Sequence, residues 1–475
     1  MRSLLALPRL GRMISALDFD ADLLRRYDRP GPRYTSYPTA PQFSGDFGAL
    51  ALRRAIQDSN GDPIPRRLSV YVHVPFCVSP CFYCGCNRVI TRDKTRADAY
   101  LNHLCREIAM IAPLFDRDRD VIQLHFGGGT PNVLTPTQLR RMVDLLERHF
   151  KFSAAADRDI SIELDPRTVS PQDIGELALA GFNRASLGVQ DFDPAVQEAV
   201  NRIQGIEQTS AVVDACRSHG FRSINIDLIY GLPTQSPAGF ARTLETVIAM
   251  RPDRLAVYSY AHLPDMFKAQ RQLDATALPD AETRLALLQL AIETLTAAGY
   301  VYIGMDHFAL PEDELAQAQA RGGLHRNFMG YTTHADSDLI GLGVSAISHI
   351  GDSYSQNPRD LKSWQIALDE GRLPVFRGMV LSEDDQLRAE LIQQLMCQGE
   401  IPIPSLERRY GIHFHAYFAD ALERLRPLRA DGLVIVGPKR IKVTARGRLL
   451  TRNIAMCFDR HLQQPAGAPR FSRAI

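Results

Sequence analysis

From Arg67 onward, short runs rich in β-branched residues alternate with longer stretches whose apolar residues recur at helical spacing. That is the pattern of a parallel sheet with crossover helices. The runs are Ser69–His73, Ile122–Phe126, Ile160–Leu164, Arg184–Val189, Ile224–Ile229 and Leu255–Tyr258. Six strands of this kind predict an α/β fold, an incomplete TIM-like (β/α)6 barrel. One crossover is signalled in full: Thr135 can cap a helix, Pro136 suits its first position, Gln138 completes a capping box, and Leu139, Met142, Val143 and Leu146 form the apolar stripe. In such barrels chemistry gathers at the carboxyl ends of the strands, so the residues that follow each run are the first candidates.

Past about Asp360 the alternation stops. A helical pattern over Asp384–Met396 leads to Gly432–Val436, a turn at Gly437 and Pro438, and Ile441–Val443. This predicts a mostly helical C-terminal domain ending in a winged-helix-like β-ribbon. The amino end is an irregular arm rich in Pro and aromatics, including GPRYTSYPTA from Gly31 to Ala40. The expected division is 1–45 for extension and arm, 46–362 for the barrel and 363–475 for the C-terminal domain. Residues 1–12 carry Arg2, Arg9 and Arg12 without an acid, a faint likeness to a targeting segment. Pro8 interrupts their apolar stretch, and they read as an extension.

In a chain of 475 residues, 55 basic side chains almost balance 54 acidic ones, so no global field argues for nucleic acid or membrane. A span needs about 18 consecutive apolar residues, and no such run occurs. The expectation is a soluble, cytoplasmic monomer that binds neither.

The cysteines change the picture. Of eight in the chain, Cys77, Cys81, Cys84 and Cys86 crowd directly after the first run. Such crowding points to metal chemistry in a reducing compartment and not to a disulfide scaffold. Cys77, Cys81 and Cys84 form CxxxCxxC, which can bind three corners of a [4Fe–4S] cube and leave the fourth iron open. A structural zinc normally uses two separated ligand pairs, and Cys84-Gly85-Cys86 would strain one tetrahedron. A closed four-cysteine cluster is the other alternative. Cys105 sits among Leu101, Leu104, Ile108 and Ile111 on a helix core face, where thiols are inert.

With Gly127, Gly128, Gly129, Thr130 and Pro131 after the second run, the chain resembles the radical S-adenosylmethionine superfamily. The resemblance narrows to the oxygen-independent coproporphyrinogen oxidase family. It rests on GPRYTSYPTA, YVHVPFC at Tyr71–Cys77, CGCN at Cys84–Asn87, IELDPR at Ile162–Arg167 and GFNRASLGVQDF at Gly181–Phe192. NIDLIYGLP at Asn225–Pro233, MDHFA at Met305–Ala309, LHRNFMGYTT at Leu324–Thr333 and GVSAIS at Gly343–Ser348 extend it.

That resemblance implies that Tyr71, Tyr83, Gly128, Glu163 and Ile347 contact a S-adenosylmethionine on the cluster. It implies a second S-adenosylmethionine near Gly129, Thr130, Gln190, Arg202, Asp227 and Ala261. Tyr83 stands where family members often have Phe, which keeps the ring. Cys86 is not a cluster ligand on this reading. The implied substrate is coproporphyrinogen III and the implied electron donor a flavodoxin-like protein. The alternative is a haem-binding chaperone of a related branch, which typically lacks CGCN, the arm motif and LHRNFMGYTT.

Arg33, Tyr34 and Tyr37 of the arm are expected to close over the substrate, with Arg33 donating to a propionate. His73, His125, His262, His307 and His325 read as hydrogen-bonded structural residues. Lys439, Arg440, Lys442, Arg446, Arg448 and Arg452 read as a solvated ribbon.

Overall fold

The computed structural model describes residues 17–463 together with Phe471 and Arg473. Residues 1–12, read above as an extension, lie outside the described residues. All six expected runs are strands: β1 (Arg67–Val74), β2 (Asp120–Gly128), β3 (Asp159–Leu164), β4 (Arg184–Gln190), β5 (Ser223–Tyr230) and β6 (Arg254–Ser259). They pair in parallel and in sequence order. Antiparallel to β6 runs β7 (His307–Ala309), and on the other side of β1 lies a further parallel strand, β8 (Ser337–Leu342). Among the described residues these belong to one 13-stranded sheet that does not close on itself.

Alternation along the strands separates two faces. Leu68, Val70, Val72 and Val74 of β1 are fully buried, and Leu124, Ile162, Leu187 and Ile226 continue that apolar face beneath the helices. The helix over Pro136–His149 is one of them, and its Thr135–Gln138 capping box is present as expected. Ser69, His125, Ser161, Ser186 and Asn225 point the other way, into the barrel.

The main sheet runs past the expected boundary at 362/363. Trp364, on the helix Leu361–Asp369, is fully buried in the barrel core, and β9 (Arg377–Val380) pairs with Ser353–Gln356 as the sheet's last strand. These late strands are antiparallel additions, which carry no strand–helix alternation to announce them. The C-terminal unit therefore starts after Val380. It has its own apolar core, with helices such as Glu383–Gln398 and Ala419–Ala430 packed on a small sheet of Glu400–Pro402, Arg440–Val443 and Val434–Val436.

The arm is a strap across both units. Asp20 pairs with Arg446, Tyr27 donates to Asp431 over 2.6 Å, and Ser44 bridges to Gly378 on β9. Arg452 is buried and donates to the carbonyls of Gly31 and Pro32, and Arg448 donates to the Tyr302 carbonyl over 2.8 Å. These two arginines therefore depart from the expected solvated ribbon. They lie beyond its strands, where their N–H groups satisfy carbonyls that packing removes from water.

Candidate active site

The cysteine loop leaves β1 at its carboxyl end, where the barrel argument put the chemistry. Cys77 and Cys81 are buried and Cys84 is partly exposed. Thr130 donates to the Cys77 sulfur over 3.3 Å, Arg202 to the Cys81 sulfur over 3.5 Å, and the Cys86 backbone N–H to the Cys84 sulfur over 3.4 Å. Donors aimed at sulfur favour thiolates, the form that binds metal. Burial raises the Cys77 thiol to about 11, whereas the Cys86 side chain, outweighing burial, pulls Cys84 down. Arg88 ties the loop together by donating to the Cys84 carbonyl over 3.2 Å. Phe82 and Tyr83 anchor it against an apolar patch of Val196, Val200 and Ile229.

Among the described residues no three His, Cys, Asp or Glu side chains converge on one point as a single ion requires.

Facing the loop, the turn after β2 approaches other backbone so closely that only glycine fits. A Cβ on Gly129 would lie 2.8 Å from the Phe76 carbonyl oxygen, and one on Gly128, at φ +119°, would meet the His73 ring at 2.6 Å. The Gly128 N–H donates to the Glu163 carboxylate over 3.0 Å. Burial would raise that carboxyl, but His125 and the Gly128 N–H prevail and hold it below the ordinary value. Tyr71 stacks on His125 with ring centres 5.8 Å apart and shares a 2.9 Å hydrogen bond with His73. The loop sulfurs, the glycine cradle and an anionic Glu163 suit a cluster with an amino-acid ligand on its open iron.

The other expected contacts gather around the same rim. Arg202 is buried, with Nη1 3.3 Å from Asp165, Nη2 on the Gly188 carbonyl, and Nε lacking a partner. Gln190 lies beside it in a left-handed conformation at φ 72°. Asp227 accepts from Asn225 over 2.9 Å and Ser186 over 3.1 Å, yet burial raises it to about 6. Gln270 donates to the Tyr83 carbonyl over 2.9 Å and the Ala261 carbonyl over 3.1 Å, which joins two loops at the barrel mouth. Ile347 presses on Gly341, whose added Cβ would stand 2.5 Å from the Ile347 oxygen, and Gly341 pairs with Tyr71.

Below the rim the barrel holds a polar cavity of about 190 Å³, lined by His125, Glu163, Asp227, Tyr258, His307 and Tyr331 among others. Arg33 reaches this side: it pairs with Asp306 and lies over the Tyr258 ring at 5.5 Å. Tyr34 and Tyr37 do not. Both are buried in the C-terminal core, Tyr34 donating to Asp459 over 3.0 Å and Tyr37 accepting from the Arg460 N–H over 3.2 Å. This corrects the expectation that the two rings cover the substrate, since a buried tyrosine goes where its hydroxyl finds a partner. Arg88, Asp165 and Gln270 escaped the sequence reading, although Arg88 and Asp165 lie in or beside matched motifs.

The sequence carries two matched family models, the Radical SAM superfamily over residues 71–247 and the HemN C-terminal domain over residues 381–450. It is 51% identical over 463 residues to an oxygen-independent coproporphyrinogen III oxidase of Pseudomonas aeruginosa, covering 98% of this chain and 100% of the relative. The enzyme of the same name from Escherichia coli is 49% identical over 462 residues, covering 97% and 100%. The solved coproporphyrinogen III oxidase (HemN) of Escherichia coli, described as a radical SAM enzyme, matches with a TM-score of 0.89 over 94% of this chain and 99% of that one. Loop, cradle and open barrel together define a radical S-adenosylmethionine enzyme, with the [4Fe–4S] cluster and S-adenosylmethionine that this class implies. Within it, the chain belongs to the family of oxygen-independent coproporphyrinogen III oxidases.

Proposed function

We propose that this chain converts coproporphyrinogen III to protoporphyrinogen IX in haem biosynthesis by oxidative decarboxylation of two propionates to vinyl groups. The observation that carries the reading is the three-cysteine loop facing a glycine cradle above a polar barrel, in a chain alike over its full length to that oxidase family. When bound, cluster and S-adenosylmethionine would supply a radical able to take a hydrogen atom from the propionate β-carbon, after which loss of carbon dioxide, and of one electron to an external one-electron acceptor, would leave the double bond.

The protein's part is positioning. Cys77, Cys81 and Cys84 hold the irons, and donors to their sulfurs steady the loop. Glu163, kept ionised by His125 and Gly128, meets cationic or hydroxyl groups of the cofactor, with Tyr71, Tyr83, Gly128 and Ile347 packing around it. A second S-adenosylmethionine fits beside the first, near Gly129, Thr130, Gln190, Arg202, Asp227 and Ala261. The unpartnered Nε of Arg202 is the donor left for its carboxylate. The electron enters from a flavodoxin-like donor. The chain acts as a cytoplasmic monomer without nucleic-acid or membrane contact.

The test is anaerobic reconstitution followed by measurement of 5′-deoxyadenosine and vinyl product from coproporphyrinogen III. Both are expected. Tight haem retention without either would replace the oxidase reading by the chaperone one.

A further inference from the structure

Arg326 sits on a short hairpin, His325–Asn327 against Gly330–Thr332, directly opposite Tyr331. Its residue is 5% exposed, and its guanidinium carbon lies 4.7 Å from the centre of the Tyr331 ring. Both Nε and Nη1 are buried without a hydrogen-bond partner. The ring contact offsets part of the charge, but it cannot satisfy in-plane N–H groups. Leaving buried charged donors unmade is costly, and native structures rarely do so without a ligand to meet them.

The surroundings of these two donors face the barrel cavity. The Tyr331 ring meets His307 edge-on at 5.2 Å, and His307 meets Tyr258 at 5.9 Å. Those three side chains line the barrel cavity. His307 Nδ1 is likewise buried and unpartnered. Arg33 lies over the Tyr258 ring at 5.5 Å, and Asp306 is the acid paired with it. Burial first, and then Arg326 and Arg452, depress Arg33 to about 10; burial, then Arg326 and Arg33, drive His307 well below its ordinary value. Arg326, Arg33 and the neutral His307 thus meet in one corner, where Asp306 is the carboxylate paired with Arg33 and Asp227 and Glu163 face the same cavity.

We propose that Arg326, packed on the Tyr331 ring directly behind the cavity wall that Tyr331 and His307 form, is a carboxylate-binding subsite that takes one propionate of the tetracarboxylate substrate. The inference rests on the substrate reading above. A guanidinium offers a carboxylate two parallel N–H bonds, and here both the burial and the empty donors are in place. Arg33 then serves mainly to secure the arm through Asp306 while adding to the local field.

The experiment is an anaerobic titration of the reconstituted, full-length protein with coproporphyrin III and with its tetramethyl ester, for wild type, Arg326→Gln and Arg326→Lys. Arg326→Gln is expected to bind the acid about tenfold more weakly, with Arg326→Lys between. The wild type is expected to prefer acid over ester by at least about tenfold, and Arg326→Gln to lose most of that preference. S-adenosylmethionine binding is expected to be unchanged in both variants. An Arg326→Gln protein with wild-type affinity for the acid would overturn the subsite, as would a variant that loses S-adenosylmethionine in place of porphyrin. If Arg326→Gln does not fold, the acid-over-ester preference of the wild type and the intermediate affinity of Arg326→Lys decide the matter. Wild-type protein that binds neither porphyrin would overturn the substrate reading itself.

Discussion

The two faces of the parallel strands are made from alternate residues of the same short runs, and they differ in kind. Outward, β1 presents Leu68, Val70, Val72 and Val74, all fully buried against helices. Inward, the neighbouring strands present His125, Ser161, Glu163, Ser186, Asn225 and Asp227 to a cavity. A closed barrel of this class packs its interior with branched aliphatics. Here the interior is a set of paired polar groups, such as Ser161 with His125 at 2.7 Å and Asn225 with Asp227 at 2.9 Å. The lower end is locked by ions, with Arg184 bridging Asp159 and Glu314. The comparison teaches a division: the apolar face specifies the fold, and the polar face is free to specify the chemistry.

Substitutions on each face break the comparison differently. The largest expected effect on activity comes from Cys77→Ala, which removes one corner of the cluster at the rim. Production of 5′-deoxyadenosine should fall to background, while the iron-free protein keeps the thermal midpoint of the iron-free wild type. Leu124→Ala, on the apolar face of β2, should do the reverse. A buried leucine truncated in a packed core costs about 2–5 kcal/mol, read as an earlier denaturant midpoint. The fraction still folded should keep cleaving S-adenosylmethionine. If Leu124→Ala abolished cleavage without loss of stability, the division between faces would be wrong.

A third change sharpens the comparison through pH. Asp227 is raised from 3.8 to about 6 by burial, so the folded state holds this proton more tightly than the unfolded chain. Its contribution to stability is complete below 3.8 and is lost as pH rises through about 6. The total is at most about 3 kcal/mol. Asp227→Asn should flatten that part of the stability profile, most visibly as a smaller fall in thermal midpoint between acidic and neutral pH for the cofactor-free protein. An identical profile in both proteins would show that Asp227 is ionised at its ordinary value.

Much of this was legible because period and chemistry coincide. The alternation that marks β3 also sets Glu163 on the inner face, and CxxxCxxC directly after β1 sets the loop on the rim. What escaped did so for local reasons. β8 carries Gly341 next to its carboxyl end, which weakens a strand pattern, yet the close approach of Ile347 requires it. β9 belongs to an antiparallel edge with no crossover helix to announce it. The burial of Tyr34, Tyr37 and Arg452 depends on partners more than 400 positions away in sequence. Such pairings leave no mark in a local window. Arg326 lies within LHRNFMGYTT, but an unpartnered guanidinium is a property of packing and not of spacing.

The smallest expected effect tests the edge of the rim itself. Cys86 is exposed, and what it gives Cys84 most directly is a backbone N–H at 3.4 Å from the sulfur. That donor survives removal of the side chain. Its thiol also lowers the Cys84 pKa, but a thiolate bound to iron is already deprotonated and gains little from a second donor. Cys86→Ala should therefore keep the iron content and the reduced-cluster paramagnetic signal of the wild type, with at most a small change in the rate of 5′-deoxyadenosine formation. Cys81→Ala, treated in parallel, should lose both. Should Cys86→Ala lose iron to the same extent as Cys81→Ala, the fourth cysteine would be a ligand and the iron taken to be open would be closed.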